Sequence, residues 1–235
     1  GHALGGMGAI TQAMARACAA GGVQIRTGSG VCEVITEKGR AAGVVTEAGE
    51  TFRARTVVSN LHPKLLFERL VDPALLDADF RERIARYRSG SATFRMNVAL
   101  SELPRFACLP AAGDPLTAGI IMAPSLGYMD RAFMDARTHG WSQRPIVEML
   151  IPSTLDESLA PEGRHVASLF CQHAAPTLPD GRAWDDCREE VADLMVDTVD
   201  SYAPGFKASV LGLRALSPLD LERDFGLVRG DIFHG

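Results

Sequence analysis

Residues 92–101 read ATFRMNVALS. Thr93, Arg95, Asn97 and Ala99 alternate with Phe94, Met96, Val98 and Leu100, so one side of the segment is apolar and the other is not. Side chains of a strand point alternately to its two faces, and this alternation predicts a strand that lays one face on a core. A connection containing Pro104, Pro110 and Pro115 leads to a second strand near 118–122. Residues 126–137 predict a helix with Leu126, Met129, Phe133 and Met134 on one stripe. Segments 146–151 and 165–172 predict two more strands, joined by PSTLDESLAPEGR. The longest helix is expected over 183–202, with Asp180 as its N-cap. Its apolar stripe is Trp184, Cys187, Val191, Leu194, Met195, Thr198 and Tyr202. A last strand, 209–215, precedes Pro218 and a short helix from Leu219. The order β-β-α-β-β-α-β predicts an α+β fold, a mostly antiparallel or mixed sheet with helices on one face.

Upstream, two short helices are expected at 64–71 and 77–86. Before them, GGMGAITQAMARACAAGG (residues 5–22) reads as a glycine-opened helix with Ile10, Ala13, Met14 and Ala17 at helical spacing, stopped by Gly21-Gly22. Short strands are expected at 23–26 and 56–59, flanking a β-meander whose turns are marked by Lys38-Gly39 and Ala48-Gly49. Residues 1–60 therefore read as a connector of helix, strand, meander and returning strand. Residues 61–235 read as a separate domain.

Composition narrows the function. An apolar share of 46%, a charged share of 23% and a net charge of −5 describe an ordinary globular chain. Lys and Arg are scattered, which argues against nucleic acid, and no apolar run is long enough for a transmembrane segment. The five cysteines are widely spaced with no CxxC pair, which points to a reducing compartment. Together with the lack of a leader this makes cytoplasmic localisation the expectation.

Local motifs supply no reaction. Gly6-Met7-Gly8 opens a helix without a strand before it, and Gly28-Ser29-Gly30 leads into a strand instead of a helix. A dinucleotide site needs strand, glycines and helix N-terminus together, because the helix end holds the pyrophosphate. His165, Cys171 and His173 share one parity of a strand but lack the tight pairing of metal ligands, so no metal is expected. Asp156-Glu157 and Asp185-Asp186 are paired carboxylates in sequence only.

Longer strings carry more. Gly5-Gly6-Met7-Gly8, Gly43-Val44-Val45, Val57-Val58-Ser59-Asn60, IPSTLDESLAPEGRHVASLF, YAPGFKASV, DLERDFGL and GDIFHG resemble the phytoene-desaturase-like branch of the FAD-dependent amine-oxidase-type flavoproteins. The resemblance runs along the whole chain in order. It implies an oxidoreductase in which flavin accepts a hydride from an apolar substrate. Members of that family are about twice this length, so the chain is expected to be the middle portion, inactive and without FAD by itself. By the same resemblance Val31 would contact the adenine of FAD through its backbone, Ser59 and Asn60 would end a strand near the cofactor domain, and Gly5, Gly6 and Met7 would pass close to the flavin ring. His234 would approach the cavity. Met96, Val98, Met149 and Phe170, on the sheet's apolar side, are candidate substrate-cavity residues, with plain core packing as the competing reading. The alternative function is a non-catalytic module for an apolar ligand or a protein, self-associating through the face that an FAD domain would cover.

Overall fold

The structure is a computed structural model that describes residues 2–90, 92–109 and 114–233. The chain forms two compact units, one made of the first fourteen residues with Gly90–Phe233, the other of Ala15–Ser89.

Helix α1 (Met7–Ala20) comes first and is followed by the positive-φ turn at Gly22, as its glycines predict. None of its residues is buried. An antiparallel meander follows, β1 (Val31–Glu37), β2 (Arg40–Thr46) and β3 (Thr51–Arg53), in that spatial order. Lys38 and Gly39, with φ of 50° and 74°, make the two-residue turn between β1 and β2. Two positive φ values give that turn the twist of the strands it joins. Segments 23–26 and 56–59 do not form strands. A strand needs a neighbour to complete its backbone hydrogen bonds, and neither segment pairs with one among the described residues.

A short helix, α2 (Pro63–Leu65), continues into a π-helical turn over Leu66–Leu70. The His62 ring caps α2 by accepting the Lys64 N–H, and its other nitrogen lies 2.6 Å from Ser89 Oγ. Helix α3 (Ala78–Arg86) packs through Phe80 edge-on to Phe67.

The larger unit is built on five strands: β4 (Phe94–Leu100), β5 (Ile120–Met122), β6 (Trp141–Leu150), β7 (His165–Ala174) and β8 (Val210–Leu216). Their order is β5-β6-β7-β4-β8 and every neighbouring pair is antiparallel. This is the α+β arrangement expected from the element order. Phe94, Met96, Val98 and Leu100 of β4 are all buried, joined by Val147 and Met149 of β6 and Leu169 and Cys171 of β7. Across them lies α5 (Trp184–Tyr202), which contributes Trp184, Cys187, Val191, Met195 and Val199 to the same core. Two short helices complete the unit, α6 (Phe206–Ser209) before β8 and α7 (Pro218–Phe225) after it.

Two sequence expectations shift here. Ala183, not Asp180, is the N-cap of α5; the Asp180 carboxylate instead accepts from the backbone N–H and Nε of Arg182. The buried face of α5 is also rotated toward Ala192, Val196 and Val199, leaving Leu194, Thr198 and Tyr202 half-buried. The second shift concerns α4 (Leu126–His139), between β5 and β6. Its expected apolar stripe points outward, with Leu126 84% exposed, and Ala132 and Ala136 are the residues that pack. Small side chains let the helix axis approach the sheet closely, and close approach decides which face turns inward.

Candidate functional site

Antiparallel register places residues of the non-core face of the sheet side by side. Arg95 of β4 stands opposite Leu216 of β8 and Phe170 of β7; Phe170 in turn faces Glu148 of β6, and Glu148 faces Ile121 of β5. These five residues form one row across all five strands. In the next row Asn97 lies between Arg214 and Ser168, and Ser168 faces Leu150. Most of this face is open: Arg95, Glu148, Ser168 and Phe170 are half-buried, while Asn97, Ile121 and Leu150 are exposed.

The chemistry of the row is that of an apolar surface carrying two fixed charges. The Arg95 guanidinium lies 5.0 Å from the centroid of the Phe170 ring and donates to Ser168 Oγ at 3.2 Å. Partial burial lowers the Arg95 pKa, and the Glu148 carboxylate opposes that shift. Glu148 also accepts from Gln172 Nε2 at 2.6 Å, which holds the carboxylate in place. On the core side of the same strand the Cys171 thiol is fully buried, and burial pushes its pKa far up, so it is an inert neutral thiol.

A second constellation ties the N-terminal glycines to the β6–β7 connection. Asp156 is 5% exposed and accepts the Gly5 N–H at 2.6 Å, together with the Ser158 N–H at 3.0 Å and hydroxyl at 2.6 Å. The Ser158 hydroxyl is the main cause that holds the Asp156 carboxyl below the usual carboxylate range, assisted by the Gly5 N–H. Gly5 and Gly6 both have positive φ, and a Cβ on Gly6 would touch the Leu159 side chain. Glu157, its partner in sequence, is exposed and takes no part.

The other predicted positions divide as follows. Met96, Val98 and Met149 lie inside the core, 1%, 0% and 0% exposed, facing away from the open row. Phe170 is on the open face. Val31 begins β1 and pairs with Thr46. Ser59 and Asn60 are exposed, with Ser59 Oγ accepting the Leu61 N–H. Met7 is exposed at the start of α1. His234 lies outside the described residues. Arg95 and Glu148 are not marked as site residues by the sequence because their alignment is made by two separate strand registers, β4 with β7 and β7 with β6. The alternation at 92–101 did mark the polar face on which Arg95 stands.

Residues 2–95 match the family described as flavin containing amine oxidoreductase. Over its full length the chain is 42% identical to rat (Rattus norvegicus) pyridine nucleotide-disulfide oxidoreductase domain-containing protein 2, of which it spans 42%. The match over residues 2–95 makes the N-terminal two fifths of the chain similar to the flavin containing amine oxidoreductases. Its mouse (Mus musculus) counterpart is 40% identical, again over 42% of its length, so the chain spans less than half of these curated relatives. A chloroplastic prolycopene isomerase of an Oncidium hybrid is 24% identical over 89% of the chain and 33% of the relative. The fold is shared with an oxidoreductase from Methanosarcina mazei, with a TM-score of 0.64 at 21% identity, covering 91% of this chain and 43% of that one.

Proposed function

We propose that the chain is the substrate-side portion of an FAD-dependent oxidoreductase that takes a hydride from a largely apolar substrate, in the manner of a desaturase or dehydrogenase. The observation that carries this reading is the open face of the sheet, where Phe170, Leu150 and Ile121 lie apolar beside the Arg95 guanidinium and the Glu148 carboxylate. Such a surface binds and orients an apolar body by excluding water, and Arg95 and Glu148 position whatever polar group it carries.

The residues expected to face FAD fit a backbone contact. β1 is an edge strand, so the outer backbone groups at Val31 have no strand partner among the described residues. Just before it, a Cβ on Gly30 would fall 2.7 Å from the Glu47 carboxylate, so a side chain there would displace the exposed end of Glu47. Val31 would hold the adenine, Ser59 and Asn60 the neighbouring domain edge, and Gly5–Met7, anchored by Asp156, the segment beside the ring. Bound FAD supplies the electron acceptor, which accounts for a site without an acid–base pair of its own. Residues 1–60 serve as the connector to the cofactor domain and 61–235 as the substrate domain.

One observation favours a second reading, a non-catalytic module for an apolar ligand or a partner. Leu4 and the Met7, Ile10 and Met14 side chains at helical spacing on α1 are exposed, and a contiguous apolar stripe of this kind marks an interaction surface. Visible absorption after incubation with FAD separates the two. Flavin retained by a chain extended at both ends to the length of its relatives, but not by residues 1–235, supports the substrate-side reading. Flavin retained by neither favours the binding module.

A further inference from the structure

Beside α4 and the end of β7 lies a cleft of about 430 Å³. That volume falls in the range of small-molecule sites, which run from roughly 300 to 1,000 Å³. Its wall is apolar and small-sided, formed by Ala92, Ala136 and Pro176. Phe133 of α4 lines it as well. The His173 ring sits edge-on to Phe133 with centroids 5.3 Å apart, and the Arg137 guanidinium lies 5.6 Å from the same ring. Both polar groups therefore gather around one aromatic side chain inside one cleft.

Neither is committed elsewhere. Among the described residues, the Arg137 and His173 side chains have no hydrogen-bond or ion-pair partner. His173 is half-buried, and burial lowers its pKa, which leaves a neutral imidazole with one N–H to donate. An exposed guanidinium stacked near a phenyl ring and a neutral donor beside an apolar wall match a ligand with one negative charge and an apolar body. Arg recognises a carboxylate through two parallel N–H groups, a charge-assisted geometry that a neutral hydroxyl cannot match.

We propose that this cleft binds a small monocarboxylate with a ring-sized apolar body, held by Arg137 and His173 against Phe133. The site lies entirely within the larger unit, so it stands or falls independently of the flavin reading.

The test titrates the chain with sodium 3-phenylpropanoate and, separately, with 3-phenylpropan-1-ol, following His173 imidazole resonances and binding heat. Saturable one-site binding of the acid, with a Kd of about 1 mM or tighter, and shifts of the His173 signals are expected. The alcohol should bind about tenfold more weakly, since it cannot make the charge-assisted pair. R137Q should weaken the acid by a similar factor and leave the alcohol unchanged; H173F, which keeps the ring and removes the donor, should weaken the acid less. Failure to saturate, equal binding of acid and alcohol, or an acid affinity untouched by R137Q overturns the proposal. Should R137Q lose its fold by circular dichroism, the comparison of acid with alcohol on the unaltered chain decides the question.

Discussion

Asp156 is a carboxylate that the fold uses as an anchor. It gathers the Gly5 N–H and both donors of Ser158, and these bonds stabilise its charged form, so its folded pKa lies below its unfolded one. That stabilisation is complete above the unfolded carboxylate value of about 3.9 and is lost as the pH falls through the lower folded value. Urea melts across that acid range should therefore lose stability more steeply for the natural chain than for D156N, and identical slopes would remove Asp156 from this role. Gly43 makes a second residue-scale test. A Cβ there would collide with the Phe52 carbonyl oxygen of the neighbouring strand, a backbone atom that cannot rotate away. G43A should cost about 1–3 kcal/mol, the usual range for overpacking, read as a drop in melting temperature. Sequence alone marked Gly43 only as part of a familiar string; its reason is the closeness of β3.

At the scale of elements, α4 shows how an apolar count misleads. Leu126, Met129, Phe133 and Met134 make the more hydrophobic stripe, yet Ala132 and Ala136 face inward. M134K should change stability by less than about 0.5 kcal/mol, as exposed substitutions do, whereas A132L should cost about 1–3 kcal/mol by forcing the helix off the sheet. Chemical denaturation of the two variants checks this directly, and the opposite order would mean that α4 packs through its apolar stripe. Helix α7 was legible only as a short helix. The structure adds a reciprocal cap, in which Ser217 Oγ accepts the Asp220 N–H and Asp220 accepts the Ser217 N–H. S217A removes half of that exchange and should cost about 1 kcal/mol, measured as a shift in the denaturation midpoint.

For the whole molecule, the exposed apolar side chains of Leu4, Met7, Ile10 and Met14 predict self-association of the chain. Light scattering over a range of concentrations should show mass rising with concentration, and a constant monomer mass would count against it. The sequence by itself determined the order of elements in the larger unit, the β4 face that builds the core, the hairpin turns and the family resemblance. Each of these rests on local periodicity, on residues with special backbone preferences, or on long strings read in order. Only the tertiary structure decided which way α4 turns, why segments 23–26 and 56–59 remain unpaired, and how Arg95, Phe170 and Glu148 come into one row. Those outcomes depend on which strand lies beside which and in what register. Partners of this kind are distant in the chain, and local sequence does not encode their distance in space.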